Sequence, residues 1–441
     1  MDREMFQGGE GFTFARTEMG GELTANKDGC HDGIAWGDLD GDGCIDLVGI
    51  ETRNGHDEED HELIGLHIPS GRVVWRTLTG EASRQVSLVN GVILCATNER
   101  NVLRGLDPRS GSPIWQIQLE DALRNDPFDG FDGARAIHPS GPLALFECEN
   151  GTAHAVDART GRLIFKKRGK LACHTLAAPG LMCVRDDDDE ETFTVVDVFQ
   201  NRVVFQAPDD DLGMAWGAGK VAFFHFDPPN GTHVTVLDLQ TRQVVAKASV
   251  KRPDGDCPMT NQVSDDVHAG VILESGRILK GRRYDEALHV IDVARRQCIV
   301  QPPPRPGLTF WQMARLGGVL FIAYQQREGT PRVTLTAWDA NTMAPFGVLE
   351  GFGGYSLPNA MFPVPTGLLV GKTVTKDQHW KRNNPVAWWH LDPASGQKVT
   401  EYPVPELGCV EVHGKFLCAT GSTYGSCYPV VYDTERRERL L

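Results

Sequence analysis

The chain is 441 residues long, 41% hydrophobic, with a formal net charge of −15. That apolar content suffices for a packed core and excludes a disordered chain, while the acidic surface excludes nucleic acid and anionic membranes as general partners. The 48 glycines and 26 prolines are spread along the sequence and not pooled in a linker, which fits many short strands joined by turns.

In chain order, Met1–Gly9 has neither a basic n-region nor an apolar h-region, so no signal peptide is expected. No apolar stretch approaches the roughly 20 residues needed to cross a bilayer, and no membrane contact is expected. The eleven cysteines fall mostly inside apolar strand-like runs, as at Cys95, Cys148, Cys183 and Cys418, without any C-x-x-C pair. They read as small buried hydrophobes in a reducing compartment, and the expected location is cytoplasmic.

The first motif is Asp38-Leu39-Asp40-Gly41-Asp42-Gly43-Cys44-Ile45-Asp46. Carboxylates alternate along it, and two glycines let the backbone fold around one point; such charge density asks for a hard cation, and calcium is expected. Asp38, Asp40 and Asp42 would supply side-chain oxygens, Cys44 its backbone carbonyl, and Asp46 a closing carboxylate. The spacing matches the first part of an EF-hand, but the twelfth position is Gly49 where a bidentate Glu is needed, and Leu47–Ile50 reads as a strand. A structural role follows: an ion would turn carboxylate repulsion into a staple.

From residue 65 onward a repeat takes over. Gly65-Leu66-His67-Ile68-Pro69-Ser70-Gly71-Arg72-Val73-Val74-Trp75 is matched by Gly105–Trp115 and by Ala155–Phe165, and again by Leu391–Val399. Each is an apolar strand, a turn with Ser/Thr-Gly, and an outgoing strand ending in an aromatic or aliphatic residue, the aromatic being expected to pack across the neighbouring sheet. Weaker copies lack the glycine but keep the aspartate, at Asp197, Asp238, Asp292, Asp339 and Asp433. Asp and Ser/Thr side chains bond the amides of such a turn, and Gly supplies the positive φ. Nine hairpins, 40 to 54 residues apart, are spaced for one four-stranded antiparallel blade each. The expected fold is all-β, a single β-propeller of eight or nine such blades filling residues 1–441, with residues 1–25 contributing to ring closure and the loop 38–46 in the first blade.

The Asp-x-x-Ser/Thr-Gly-x-x-x-Trp hairpin resembles the blade signature of pyrroloquinoline-quinone-like (quinoprotein-type) propeller repeats. Ala35–Val48 resembles a single FG-GAP/VCBS-type repeat, whose calcium loop joins two strands of a blade. The first resemblance implies exported, longer enzymes in which adjacent cysteines stack on the quinone; this chain has no adjacent cysteines and no haem motif, so bound pyrroloquinoline quinone is not expected. The favoured reading is a non-catalytic scaffold stabilised by calcium and serving protein–protein assembly. The alternatives are a quinoprotein dehydrogenase-like enzyme and a propeller binding a small ligand or carbohydrate.

The remaining features read as bland ones. His56–Glu62 and Asp186–Glu191 are solvated connectors, Pro302–Pro306 an inter-blade connector, and Lys166-Lys167-Arg168 a solvated strand end. Partner contacts are expected through a propeller face or loop insertions, such as Asp126–Gly133, Lys251–Asp265 and the segment around Trp380. The other eight tryptophans read as strand and core residues.

Overall fold

The computed structural model describes residues 22–24, 34–52, 61–78, 82–97, 101–124, 137–171, 178–186, 192–208, 213–227, 231–250, 270–281, 288–326, 332–353, 361–373, 385–392, 394–395, 397–403, 408–423 and 426–440. Most of His56–Glu62 and Asp186–Glu191, all of Lys251–Asp265, and the segments around Trp380 and Asp126–Gly133 lie outside them. The fold is all-β, built from antiparallel propeller-type blades; among the described residues the only helical element is the 3-10 turn Ile68–Ser70. The chain divides into two compact units, one of residues 1–184, 196–202 and 404–441, the other of residues 185–195 and 203–403.

In the first unit, the opening blade runs Ile34–Gly37, Asp46–Thr52, His61–His67 and Arg72–Leu78. The second runs Ala82–Val89, Val92–Thr97, Val102–Leu106 and Pro113–Gln118, and the third Ile137–Ser140, Leu143–Cys148, Thr152–Asp157 and Leu163–Arg168. The last blade, Gly408–His413, Phe416–Thr423, Ser426–Asp433 and Glu438–Arg439, belongs to the same unit. Strand Glu22–Thr24 joins the two ends of the chain, pairing antiparallel with Thr52 and Glu51 on one side and with Cys427 and Ser426 on the other. Successive sheets of this unit share cores: Ile34, Trp36, Leu47 and Ile64 pack with Phe416, Cys418 and Val431, and Ala35, Val48 and Leu63 pack with Val86, Ile93 and Cys95.

A further four-stranded sheet runs Lys170–Leu171, Leu181–Asp186, Thr192–Asp197 and Arg202–Pro208, and among the described residues the second unit holds four blades of its own, ending in edge strands Gln243–Val250, Gln297–Gln301, Pro345–Gly353 and Lys398–Pro403. Its first two sheets are joined by a parallel contact between Trp216 and Val271. Pro302–Pro306 connects Gln297–Gln301 to Leu308–Leu316, the linking role expected of it.

The hairpins form for one local reason. Asp107 Oδ1 accepts the N–H groups of Arg109 (2.9 Å) and Ser110 (3.0 Å), and Asp157, Asp197, Asp238, Asp339, Asp392 and Asp433 cap their own turns in the same way. The residue four places after the Asp is left-handed: Gly111 and Gly161, but also Asn201, Arg242, Arg296, Met343 and Arg437. The weak copies therefore keep the turn geometry without glycine, at roughly 1 kcal/mol each.

A second regularity lies three residues further on. Among the described residues, six edge strands carry a β-bulge that skips one residue: Val74, Ile114, Ile164, Val245, Phe346 and Val399. Bulges re-aim side chains, and five of these six apolar residues are exposed, from 37% for Val399 to 51% for Val245.

All eight tryptophans outside the Trp380 segment lie on strands, as expected. Cys95, Cys148, Cys183, Cys298 and Cys418 are buried thiols outside any disulfide; burial pushes the Cys95 and Cys148 thiols up to about 12, which leaves them unreactive.

Candidate metal centre

The aspartate loop is the connection between the first two strands of the opening blade. Gly37 pairs with Asp46, so residues 38–45 project from the end of a two-stranded ladder, and a strand follows the loop where an EF-hand would have a helix. Gly41 and Gly43 sit at φ +89 and +82, left-handed positions that the two glycines exist to fill. Leu39 and Ile45 are buried beside the exposed Asp38, Asp40 and Asp42, pinning the loop to the core at both shoulders.

The carboxylates fold the loop on itself. Asp38 accepts the N–H groups of Gly41 (2.6 Å) and Gly43 (3.0 Å), Asp40 that of Asp42 (3.1 Å), and Asp42 that of Cys44 (2.7 Å). Hydrogen bonding from the Cys44 amide holds the Asp42 carboxyl below the usual range. Asp46 is different: it is only 1% exposed, accepts the N–H groups of Leu39 (3.0 Å) and Ile68 (3.3 Å), and desolvation pushes its carboxyl up to about 6. A buried anion in that state gains from a nearby cation.

Asp38, Asp40 and Asp46 each offer an oxygen within 4.8 Å of the others, so three of the five expected ligands stand together. This all-oxygen set suits a hard divalent cation such as calcium. Asp42 belongs instead to a second group, with Asp40 and His67, also within 4.8 Å. The Cys44 thiol joins neither group, and burial pushes it upward; the ligand expected of Cys44 is its backbone carbonyl, a different atom.

Two neighbours escaped the sequence reading. His67 Nε2 lies 3.3 Å from Asp42 Oδ2, and its Nδ1 lies 2.7 Å from Ser70 Oγ. Arg109, in the turn of the second blade, stands against the loop, since a Cβ on Gly41 would fall 3.2 Å from its Nη2. Both residues come from other hairpins, so loop spacing could not reveal them; His67 did carry a signal, as the one departure from Asp at that place in the repeat.

Blade and hairpin together define a propeller of quinoprotein-type repeats. The family described as outer membrane protein assembly factor BamB matches residues 42–162 and 99–342, more than half of the chain, and the chain belongs to that family. No curated protein matches the sequence. Among solved structures, BamB from Moraxella catarrhalis is 11% identical, with 94% of each chain covered and a TM-score of 0.41. Dihydro-heme d1 dehydrogenase NirN in complex with DHE is 14% identical, covering 79% of this chain and 72% of that one, with a TM-score of 0.45. Quinohemoprotein alcohol dehydrogenase from Comamonas testosteroni is 12% identical, covering 76% and 69%, with a TM-score of 0.39.

Proposed function

We propose that this chain is a non-catalytic propeller scaffold for protein–protein assembly, stapled by calcium in its first blade. The observation that carries the reading is the bulge-exposed apolar residue repeated on edge strands: Val74, Ile114, Val245, Phe346 and Val399. Single exposed aliphatics are ordinary on a soluble surface. The same exposure produced by the same bulge in five separate blades supplies repeated apolar anchors on rigid strands, as an assembly platform needs. Membership of an assembly-factor family supports the same reading.

The platform is tested by placing a photo-crosslinking amino acid at Ile114, Val245 and Phe346 in the native host. A discrete crosslinked species is expected at one or more positions, and Ile114→Glu or Phe346→Glu should abolish it with melting shifted by less than about 2 °C, the behaviour of surface sites. No adduct at any of the three positions would refute the platform.

Asp38, Asp40 and Asp46 would hold the calcium ion, which would neutralise the loop and fasten its two strands. At a hundredfold excess over Kd, a ligand specific to the folded state adds about 2.7 kcal/mol, so calcium should raise the melting temperature of the chain and a chelator should reverse it. Asp40→Ala should remove the response. A melt indifferent to calcium, chelator and Asp40→Ala alike would end the staple.

A further inference from the structure

The first hairpin departs from the rest at one residue, and the departure faces the aspartate loop. Eight hairpins begin with Asp, at positions 107, 157, 197, 238, 292, 339, 392 and 433; the first begins with His67. The Asp at this place caps its own turn, as at Asp107. His67 makes no such side-chain bond at the start of the Ile68–Ser70 turn, where Pro69 offers no N–H at the second position, and the neighbouring Ile68 N–H donates to Asp46 Oδ1 at 3.3 Å. The imidazole has thus left the capping role, with Nε2 directed at Asp42 of the loop.

We propose that His67 gives the loop a second seat, formed with Asp40 and Asp42, that takes a borderline divalent ion of the Zn2+ type. The proposal rests on the loop being a cation site, and it adds a ligand from outside the loop and a different class of metal. Imidazole nitrogen is a preferred ligand for such ions, whereas calcium takes oxygen. The 3.3 Å separation of His67 Nε2 from Asp42 Oδ2 fits two ligands on one tetrahedral ion, where bonds of about 2.1 Å place neighbouring donors about 3.4 Å apart. Asp40 completes a three-residue set whose donor atoms all lie within 4.8 Å. Ser70 Oγ lies 2.7 Å from Nδ1; in the tautomer whose Nδ1–H donates to this hydroxyl, the Nε2 lone pair is left for the metal and Ser70 orients the ring from outside. Water fills the open position. An ion here ties the hairpin 67–71 to the loop 38–46, whereas the oxygen seat of Asp38, Asp40 and Asp46 lies within the loop and its closing strand.

The test uses the full chain, Co2+ as a spectroscopic probe and calorimetric titration with Zn2+ and Ca2+. The wild type is expected to develop a visible ligand-field band with Co2+ that Zn2+ displaces. His67→Asp installs the residue of the other eight hairpins, which suits the turn; it should lose the band and weaken Zn2+ binding about tenfold or more, while Ca2+ binding stays or tightens. His67→Gln, which keeps a polar side chain without the imidazole, and Asp42→Asn should lose the band as well. Equal Zn2+ affinity in wild type and His67→Asp overturns the proposal. If Ca2+ binds while the Co2+ band is absent or independent of His67, the second seat falls and the calcium staple stands. If Zn2+ binding depends on His67 and Ca2+ neither binds nor shifts the melt, the staple falls and the second seat stands.

Discussion

Trp115→Ala is expected to lower the unfolding free energy by about 3–5 kcal/mol, the range for deleting a well-packed large aromatic. Trp115 leaves the turn of the second blade and lies across two glycines. A Cβ on Gly105, its partner on the adjacent strand, would fall 2.2 Å from the indole, and one on Gly161, in the turn of the third blade, 2.6 Å. Its Nε1–H donates to the Ala158 carbonyl of that next turn at 2.9 Å. Trp75 repeats the arrangement one blade earlier, on Gly65 and Gly111, with its Nε1–H donating to the Pro108 carbonyl at 2.7 Å. The aromatic of one hairpin therefore clasps the turn of the next, which explains why Gly and Trp recur together in the strongest copies of the repeat. Trp115→Phe keeps much of the area and loses the hydrogen bond, so a smaller loss of about 1–2 kcal/mol is expected. Gly161→Ala adds strain at φ +69 and a clash with the ring, and should approach the Trp115→Ala value. Repeat arrays unfold in parts, so chemical denaturation should be paired with hydrogen exchange of the Thr152–Asp157 and Leu163–Arg168 amides. A Trp115→Ala melt within about 0.5 kcal/mol of wild type would remove the clasp from the account.

What was legible in the sequence is what short-range bonding dictates. Asp107-Pro108-Arg109-Ser110-Gly111 writes its own turn, because donor and acceptor lie within four residues, and its recurrence announces the blade. The aspartate loop was legible for the same reason: its backbone amides and carboxylates all lie between 38 and 46. The bulge was not legible. Arg72-Val73-Val74-Trp75 reads as a plain alternating strand, and only the register, with Gly65 opposite Trp75 and Leu66 opposite Val73, shows Val74 turned outward. Nor could the loop spacing show that Asp42 parts company with Asp38 and Asp46 to face His67, since that depends on where the third strand of the blade ends. Glu147 was the most hidden of all: a single carboxylate in the run Leu143-Ala144-Leu145-Phe146-Glu147-Cys148, whose partners come from two other segments of the chain.

That glutamate sets the second large effect. Glu147 is 2% exposed in a strand that is buried throughout. Its Oε1 lies 2.6 Å from Arg124 Nη1, and its Oε2 accepts the Leu171 N–H at 2.9 Å. The backbone runs with it: Arg124 N–H donates to the Glu147 carbonyl, Glu149 N–H to the Ala122 carbonyl, and Leu123 forms a bridge with Cys148. One carboxylate therefore fastens residues 122–124 to the second strand of the third blade and anchors Lys170–Leu171, which opens the next sheet. Removing one partner of a buried pair costs far more than the pair contributes, because the other charge stays behind without compensation. Arg124→Ala should therefore cost about 3–5 kcal/mol, although solvent at the one-third exposed guanidinium draws the result toward the lower figure. Glu147→Gln keeps an acceptor for Leu171 and removes the charge, and should cost less than Arg124→Ala. Adding Glu147→Gln to Arg124→Ala should recover part of the loss, since the stranded charge is then gone. A double-mutant cycle by urea denaturation measures the coupling directly. If the two single losses add with no coupling, Glu147 is held by the Leu171 amide alone, and the segment 122–124 is fastened by its backbone bonds and the burial of Leu123.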